Sequence, residues 1–341
     1  MSPEKRGCYE AAGVSIERGE RATDLMISAV QNTHGPEVLG APGGFAGLYA
    51  LAGYGDPILA STIDGVGTKV LVAKEVGRYD SLGADIVNHC ANDVLATGSR
   101  PLLFLDYIGT GRLEPEAVAS IVRGAAQACG QLDITLIGGE TAEMPGLYGH
   151  GDFEVVGACV GACERDEVVS GERVRSGDAV LGLASSGLHT NGYSLARKVL
   201  NDAGLSYSDR PQSLDRTVGE VYLQPHRAYV REIEALRGTI EVRGMAHITG
   251  GGLAGNLPRA LGGLGARLDA GSWEEPAVFG LIRSLGGVLE EEMRRVFNLG
   301  IGFCAVVPPE AAEDGLEVLR GADCVAWRIG EVVEGGGVEF A

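Results

Sequence analysis

The sequence predicts a two-domain protein in which β-strands alternate with α-helices. The chain has 341 residues, more than a single hydrophobic core usually supports. Hydrophobic residues make up 45% of it, which is enough for two cores, and strand-like and helix-like apolar patterns alternate in both halves. A charged stretch with glycines, residues 164–178, separates the halves. We therefore predict an N-terminal domain of residues 1–168 and a C-terminal domain of residues 169–341.

In the N-terminal half, apolar spacing predicts two helices and four strands. Residues 81–97 repeat apolar side chains at helical spacing. Residues 114–131 do the same and carry Pro115 in the first helical turn, where proline is favoured. The inward-facing residues of the first helix are Ile86, Cys90, Val94 and Leu95. The predicted strands are PILASTID (57–64), PLLFLDY (101–107), DITLIGG (133–139) and DFEVVGACVGA (152–162).

The C-terminal half restarts with the strand DAVLGLA (178–184), which a glycine-bearing loop follows. Helices are predicted from about residue 193 to 203 and near 225–236, and a strand is predicted before the segment TGGG. Later strands are predicted near 301–307 and 324–333.

Composition excludes several classes of protein. The formal net charge of −18 repels polyanions, so we expect no nucleic-acid partner. The chain has no run of 18 apolar residues and no apolar segment near its first residues, so we expect neither a membrane span nor a secretory signal, and a cytoplasmic location. Seven cysteines without a CxxC pair argue against a disulfide framework or zinc finger, and most should be small core residues.

The segment IDGVGTK is the first candidate for binding a nucleotide. Asp64 ends a strand, Gly65 and Gly67 free the backbone, and Thr68 and Lys69 follow. Such a turn can place a metal-binding carboxylate, backbone amides and a cation around one polyphosphate. The alternative is an Asp-Gly turn with a solvated lysine. The sequence has no Walker A loop, and neither GGGLAGN nor GVGTK fits a dinucleotide-binding GxGxxG that follows a strand and precedes a helix.

A second candidate is the predicted helix that carries Asp85, His89 and Asp93 on one face, with Asn92 beside them. Two turns separate the aspartates by about 12 Å, too far to chelate one ion. Each would need partners from other segments such as Asp64. The alternative is an exposed polar stripe, and we expect His89 to be a surface or interface residue rather than a ligand.

Two carboxylates follow the strand of residues 133–139, in the segment GGETAEMPG. Glu140 and Glu143 are three residues apart and suit magnesium or an ammonium-like group of a substrate. The alternative is that Thr141 and Glu143 cap a short helix.

The loop SSGLHTNGYS precedes a predicted helix and carries His189, Thr190 and Asn191. Helix N-terminal amides bind anions, and a histidine there can move protons near neutral pH. The alternative is that Thr190 or Asn191 caps the helix while His189 points to water.

The segment HITGGG places three glycines between a strand and a helix, after His247 and Thr249. This arrangement favours a phosphate cradle at Thr249, Gly250, Gly251 and Gly252. A tight turn without a ligand is the alternative, although three glycines exceed what such a turn needs.

Taken in order, these segments resemble the phosphoribosylformylglycinamidine cyclo-ligase family over almost the whole chain. The resemblance rests on YEAAGVSIERG, GGFAGLYAL, DGVGTK, CANDVLATGSRPLLFLDY, GGETAEMPG, SSGLHTNGYSL, HITGGG and FNLGIGF. It implies an α+β fold of two domains: an N-terminal mixed sheet with helices, through which two subunits dimerise, and an α/β sandwich-like C-terminal domain. The sequence departs from the family's pattern at Ile63, where a small hydroxyl residue is usual, and at His89, where an apolar residue is common.

The resemblance also implies a reaction and a set of roles. The family uses ATP and Mg²⁺ to cyclise formylglycinamidine ribonucleotide to aminoimidazole ribonucleotide, releasing ADP and phosphate. Carried to this chain, the catalytic residues are His189, Asp93, Lys69 and Glu140, and the metal ligands are Asp64, Asp93 and Glu140. The nucleotide ligands are Asp64, Gly65, Gly67, Thr68, Lys69, Asn92, Asp93 and Asn191; the ribonucleotide ligands are Glu143, His247, Thr249, Gly250, Gly251 and Gly252.

Two other classes stay open on the sequence alone. One is another ATP-dependent phosphotransferase of the same fold that acts on a different small molecule. The other is a nucleotide-binding regulatory scaffold without turnover.

Overall fold

The computed structural model describes residues 9–39 and 44–341. These residues form a four-stranded sheet from the N-terminal half, a six-stranded sheet from the C-terminal half and a two-stranded ribbon. The ribbon joins β1 (Val38–Leu39) and β2 (Leu48–Tyr49). The chain is therefore a mixed α and β protein, as predicted, with a separate sheet in each half.

The N-terminal sheet has the strand order β3-β6-β4-β5, in which only β4 and β5 are parallel. Its strands are β3 (Pro57–Gly65), β4 (Arg100–Thr110), β5 (Thr135–Glu143) and β6 (Phe153–Glu164). The helices are α1 (Ile16–Gln31), α2 (Lys69–Val76), α3 (Asp80–Leu95) and α4 (Pro115–Gln131). Helices α3 and α4 pack together, and α1 packs on α4.

The predicted N-terminal elements are confirmed, with one difference of length. The four inward-facing residues predicted for α3 are each at most 1% exposed. Strand β5 continues through Glu143 because it stays paired with β4 as far as Thr110. The segment GGETAE is therefore strand, and the alternative of a short helix there is wrong.

The C-terminal sheet has the order β12-β9-β11-β7-β10-β8. Its strands are β7 (Ala179–Ala184), β8 (Gly244–His247), β9 (Gly265–Leu268), β10 (Ile301–Val307), β11 (Ala326–Val333) and β12 (Gly337–Phe340). Central strands β7 and β10 are apolar runs whose successive residues alternate between two buried clusters. Such runs indicate a sheet that is covered on both faces.

The helices of the C-terminal half connect these strands. They are α5 (Tyr193–Asp202), α6 (Val218–Tyr222), α7 (Val230–Arg237), α8 (Gly252–Asn256), α9 (Ala277–Gly286), α10 (Glu290–Val296) and α11 (Ala312–Gly321). The helix predicted near 225–236 begins later, at Val230. Residues 224–229 precede it as a loop that contacts α3. No helix of the described residues combines the length and apolar character that crossing a bilayer requires.

The cysteines agree with the prediction of small core residues. Cys90, Cys129, Cys159, Cys163, Cys304 and Cys324 are all free and buried. Cys8 lies outside the described residues.

Helices α3 and α4 approach so closely that two glycines are required at their contact. A Cβ added at Gly83 would stand 2.0 Å from the carbonyl oxygen of Ile121, and one at Gly124 would stand 2.0 Å from that of Asp80. Because both obstacles are backbone atoms, neither helix can accept a side chain without moving. This contact fixes the position of α3, which carries Asp85, His89, Asn92 and Asp93.

We expect Gly83→Ala to lower the free energy of unfolding by about 1–3 kcal/mol, because α3 must shift away from α4. Gly130→Ala is the matched control: Gly130 also lies in a helix, and its added Cβ would meet nothing within 4 Å. The control should be neutral or stabilising by up to about 1 kcal/mol, since alanine favours helix. Urea unfolding followed by circular dichroism measures both, and equal effects would contradict the close contact.

Candidate functional site

The polar residues of α3 face the C-terminal half of the chain rather than solvent. Asp85 and Asn92 are completely buried, and His89 is 2% exposed. The amide of Asn92 donates to the carbonyl of Arg227 at 2.8 Å and accepts from the backbone N–H of Tyr229 at 3.0 Å. The alternative of an exposed polar stripe is therefore wrong. Asn92 also does not fit its expected role as a nucleotide ligand, because its amide joins the two halves.

Lys69 is fully buried in the same interface. Its Nζ donates to Asp85 at 2.8 Å and to the carbonyls of His189 at 3.2 Å and Gln224 at 2.8 Å. Burial lowers the pKa of Lys69 and raises that of Asp85, while the charge of each partner acts in the opposite sense. All three ammonium donors are used. Lys69 therefore neither contacts a polyphosphate nor is solvated, and both expectations for it are corrected.

Four of the six histidines of the chain meet beside α3. They come from α3, the loop after β7, the loop before α7 and the end of β8, and are His89, His189, His226 and His247; we call them the histidine cluster. Neighbouring ring centroids are 4.0–5.2 Å apart, and all four residues are buried. His89 is thus an interface residue and not a surface one.

Two aspartates stand at the solvent side of the histidine cluster. His89 Nε2 lies 2.9 Å from Asp64 Oδ2, and His247 Nδ1 lies 2.8 Å from Asp93 Oδ1. Partial burial acts to raise the pKa of each aspartate, but the hydrogen bond and charge of its histidine hold that pKa below the ordinary value. The side chains are 44% and 29% exposed, respectively. The structure therefore brings together two ionised carboxylates from segments that are distant in sequence.

Thr190 and His226 link these two pairs on the buried side. Thr190 Oγ1 lies 2.8 Å from His89 Nδ1 and 3.3 Å from His226 Nδ1. His226 Nε2 lies 2.9 Å from His247 Nε2. A continuous hydrogen-bonded path thus runs from Asp64 to Asp93 through one threonine and three histidines.

His189 lies behind this path. Its ring stacks on His226 with centroids 4.0 Å apart, and its Nε2 accepts the backbone N–H of Ser186 at 3.1 Å. Its Nδ1 is buried without a hydrogen-bond partner, its φ is +61°, and burial holds its pKa well below the ordinary value. The alternative that His189 points to water is wrong. Gly192 precedes α5 without a side-chain cap, so neither Thr190 nor Asn191 caps that helix.

A cavity of about 330 Å³ opens beside Asp93 and His247, between the two halves. Asn256 and Arg259 line it from the C-terminal half, and Thr62 lines it from β3. Thr62 Oγ1 also donates to Asp93 Oδ2 at 3.3 Å. The cavity joins a carboxylate, an imidazole and a guanidinium, a set that suits a small charged ligand.

The fold itself requires glycine at some of the three positions after Thr249. Gly251 and Gly252 have φ of +100° and +61°, and a Cβ on Gly252 would stand 2.1 Å from the carbonyl oxygen of Arg294. Asn256 donates to the carbonyls of Gly250 at 3.1 Å and Gly252 at 2.9 Å, which holds the loop. Gly250 is exposed and lies near the Asn191 side chain. The loop is thus a tight turn that borders the interface, and its phosphate-binding role stays a prediction.

The carboxylate of Glu143 is hydrogen-bonded within the protein and holds parts of the fold together. It accepts the backbone N–H of Ser15 at 2.8 Å, that of Leu113 at 2.9 Å and the guanidinium of Arg18 at 2.7 Å. Although burial acts to raise its pKa, these hydrogen bonds hold it below the ordinary value. Its expected role as a substrate ligand does not fit, because it anchors the start of α1 to the sheet.

Glu140 lies apart from the two aspartates. It is in register with Gly65 across β5, β4, β6 and β3, three strand spacings or about 14 Å. The three expected metal ligands therefore do not form one set within a protomer. Glu140 lines another cavity, of about 560 Å³, under α1. Asp106 also lines it, and burial raises the pKa of Asp106 from 3.8 to about 7.

The turn IDGVGTK, which is expected to bind the nucleotide, has some groups that a ligand could reach. Gly65 donates its backbone N–H to Asp64 Oδ1 at 2.7 Å. Gly67 is exposed with φ of +67°, and Thr68 Oγ1 lies 3.2 Å from Ser194 Oγ of α5. Sequence reasoning did not name His226, Asn256 or Arg259. No motif surrounds His226, and Asn256 and Arg259 follow the three glycines of HITGGG along the chain, where only the fold shows that they face the site.

Comparison with known proteins places this chain in one family. The model of the AIR synthase related N-terminal domain matches residues 46–163, and that of the C-terminal domain matches residues 175–341. The chain is 48% identical to phosphoribosylformylglycinamidine cyclo-ligase of Gloeobacter violaceus, covering 98% of this chain and 99% of that protein. It is 50% identical to the protein of that name from Sorangium cellulosum, covering 97% of each. The chain therefore belongs to the AIR synthase related family, and it is a cyclo-ligase enzyme.

Solved structures show the same fold at low sequence identity. Thiamine-monophosphate kinase from Stenotrophomonas maltophilia matches with a TM-score of 0.72 and 18% identity, covering 93% of this chain and 95% of that one. The hydrogenase maturation protein HypE in complex with ATP matches with a TM-score of 0.66 and 21% identity, covering 93% and 86%.

We expect Lys69→Met to lower the free energy of unfolding by about 3–5 kcal/mol, because it leaves the Asp85 carboxylate buried without its cation. Adding Asp85→Asn should recover part of this loss, since the amide oxygen can still accept the His226 N–H that Asp85 accepts at 2.7 Å. Lys74→Met is the matched control: its pair with Asp152 is exposed and should contribute less than about 1 kcal/mol. Chemical unfolding measures the free energy of unfolding of the single variant, the double variant and the control. A Lys69→Met protein as stable as the control would contradict the buried pair.

Proposed function

We propose that this enzyme cyclises formylglycinamidine ribonucleotide to aminoimidazole ribonucleotide, with conversion of ATP to ADP and phosphate, in purine biosynthesis. The observation that carries the proposal is the convergence of Asp64 and Asp93 on the histidine cluster, where Asp93 and His247 also line the cavity between the halves. We further propose that it acts in the cytoplasm.

The chemistry explains the need for ATP. The formyl oxygen of an amide is a very poor leaving group. Transfer of the γ-phosphoryl group to that oxygen, with ADP leaving, gives an imidate phosphate. The amidine nitrogen then attacks the same carbon, the C–O bond breaks, and inorganic phosphate departs as the nitrogen loses a proton. The protein's main tasks are to position the reactants and to stabilise the developing charge.

Asp64 and Asp93 are the residues that we propose hold Mg²⁺. Both carboxylates are ionised and partly exposed, and carboxylate oxygens suit this ion. When bound, Mg²⁺ would neutralise charge on the ATP phosphates. Gly65, Gly67 and Thr68 would approach the nucleotide with backbone and hydroxyl groups. Glu140 would act from its own cavity under α1 and not with the aspartates.

The ribonucleotide would occupy the cavity of about 330 Å³. His247 and Asp93 line its reactive end, and Arg259 offers a cation for the ribose phosphate. The turn Thr249–Gly252 borders the same region and offers backbone amides. His189 and Asn191 would assist proton or phosphoryl transfer; because His189 lies behind His226, it would act through that ring.

The open face of the N-terminal sheet supports a homodimer. Alternate residues of β3 point away from α3, and among them Leu59 and Ile63 are 62% and 71% exposed; Leu105 of β4 is 38% exposed. Strand β3 is also an edge strand of its sheet. We propose that a second copy of this chain covers this face, because it leaves large apolar side chains in water.

The direct test is to incubate the purified protein with formylglycinamidine ribonucleotide, ATP and Mg²⁺ and to follow aminoimidazole ribonucleotide by colorimetry and ADP by a coupled assay. Stoichiometric formation of both products supports the proposal. Turnover of ATP with thiamine monophosphate instead, and none with the ribonucleotide, would assign another phosphotransferase activity.

In the same assay we expect Asp93→Asn to reduce turnover by on the order of 10²- to 10³-fold or more, because it removes one of two carboxylates at the metal. Asp80→Asn is the matched control on α3, since its contact with Arg78 is long, at 3.8 Å, and exposed. Circular dichroism should show both variants folded. Wild-type turnover by a folded Asp93→Asn protein would remove Asp93 from the mechanism.

For the dimer, we expect Ile63→Asp to yield monomers, because it places a charge in the apolar face. Leu289→Asp is the control, since Leu289 is 76% exposed at the start of α10 in the other half. Light scattering after gel filtration measures the mass of each. A wild-type monomer, or an Ile63→Asp protein that stays dimeric, would contradict this interface.

A further inference from the structure

We propose that His89, Asp93 and His247 together form a binding site for one divalent transition-metal ion of the Mn²⁺ or Zn²⁺ class, with Asp64 beside it. The inference deepens the proposed function and rests on it only in using Asp93 as a metal ligand. It adds two imidazole ligands, His89 and His247. The sequence itself favoured a surface or interface role for His89.

The distances between His89, Asp93 and His247 fit a single ion, and Asp64 lies beside His89. Asp64 Oδ2 lies 2.9 Å from His89 Nε2, which lies 3.9 Å from Asp93 Oδ2. Asp93 Oδ1 lies 2.8 Å from His247 Nδ1. One ligand atom from each of His89, Asp93 and His247 falls within 4.8 Å of the others. Ligands about 2.0–2.2 Å from a metal stand roughly 3–3.5 Å apart, so shifts of a few tenths of an ångström to 1 Å would close the site.

Both histidines are oriented through their other ring nitrogen. His89 Nδ1 lies 2.8 Å from Thr190 Oγ1 and His247 Nε2 lies 2.9 Å from His226 Nε2. Metal-bound histidines generally donate this second N–H to a fixed acceptor. The arrangement therefore leaves His89 Nε2 and His247 Nδ1 as the ligating atoms, and both face the aspartates.

The orientation of the Asn92 amide determines which ring nitrogen of His226 carries the proton. Because Asn92 Oδ1 accepts the Tyr229 N–H, its Nδ2 must be the group that lies 3.2 Å from His226 Nε2. His226 Nε2 is then an acceptor, and its proton resides on Nδ1, beside Thr190. His247 can therefore donate to His226 and keep Nδ1 free for a metal.

The donor set selects the class of ion. Two imidazoles with one carboxylate suit Mn²⁺, Fe²⁺ or Zn²⁺, whereas Mg²⁺ prefers oxygen ligands and water. The site is also reachable, since the aspartate side chains are 44% and 29% exposed. The neighbouring group of His189, His226 and His247 is fully buried, and His226 Nε2 is already used there.

The test uses the full-length protein, stripped with a chelator, without nucleotide or substrate. Titration with Mn²⁺ should show one strongly bound ion per chain, which Zn²⁺ displaces and millimolar Mg²⁺ does not. Pulsed electron paramagnetic resonance of the Mn²⁺ protein should show ¹⁴N coupling from directly bound imidazole, a signal that carboxylate ligands cannot give.

In His89→Met we expect Mn²⁺ affinity to fall about 10- to 100-fold or more and the ¹⁴N signal to shrink to that of one histidine. His150→Gln is the matched control, because His150 is exposed and lies outside the histidine cluster, and it should match wild type. Strong Mn²⁺ binding by wild type without ¹⁴N coupling, or Mg²⁺ binding as tight as Mn²⁺, would overturn the site whether or not the variant folds. If the metal site fails these tests, cyclo-ligase turnover with Mg²⁺ alone would still support the proposed function. The failure of one proposal can therefore be told apart from the failure of the other.

Discussion

The buried contact between α3 and the loop of residues 224–229 is the constraint on which the rest of this structure depends. Asp85, Lys69 and Asn92 place charged and amide groups in fully buried positions, and each of these residues makes at least one hydrogen bond to a backbone group of the other half. A buried charge without its partners is strongly destabilising. The two halves are therefore held in one relative position, and with them the two parts of the site.

This position explains why the site lies where it does. Asp64 and Asp93 come from the N-terminal half, and His247, Asn256 and Arg259 come from the C-terminal half. The histidine cluster fills the space between them. The close contact at Gly83 and Gly124 sets α3 on its own sheet. Helix α3 thus carries Asp85 and Asn92 of the interface between the halves as well as His89 and Asp93 of the candidate site.

Residues that look alike in sequence have separate tasks in this arrangement. Of the cations and carboxylates in the motifs, Lys69, Asp85 and Glu143 stabilise the fold. Asp64 and Asp93 keep exposed oxygen atoms. The difference lies in burial and in the number of hydrogen-bond donors around each group, and these decide whether a charged side chain is free to bind a ligand.

The sequence by itself determined the class of fold, most of the strands, four of the helices (α3, α4, α5 and α7) and the family, and it named Asp64 and Asp93 as candidates for the site. Local periodicity and ordered motifs carry that information, because they depend on neighbouring residues. Only the tertiary structure decided that Lys69 is buried, that Glu140 lies about three strands from Asp64, and that His89 and His226 join the site. These outcomes depend on which segments meet across the interface, and spacing along one chain does not encode a distance between two halves.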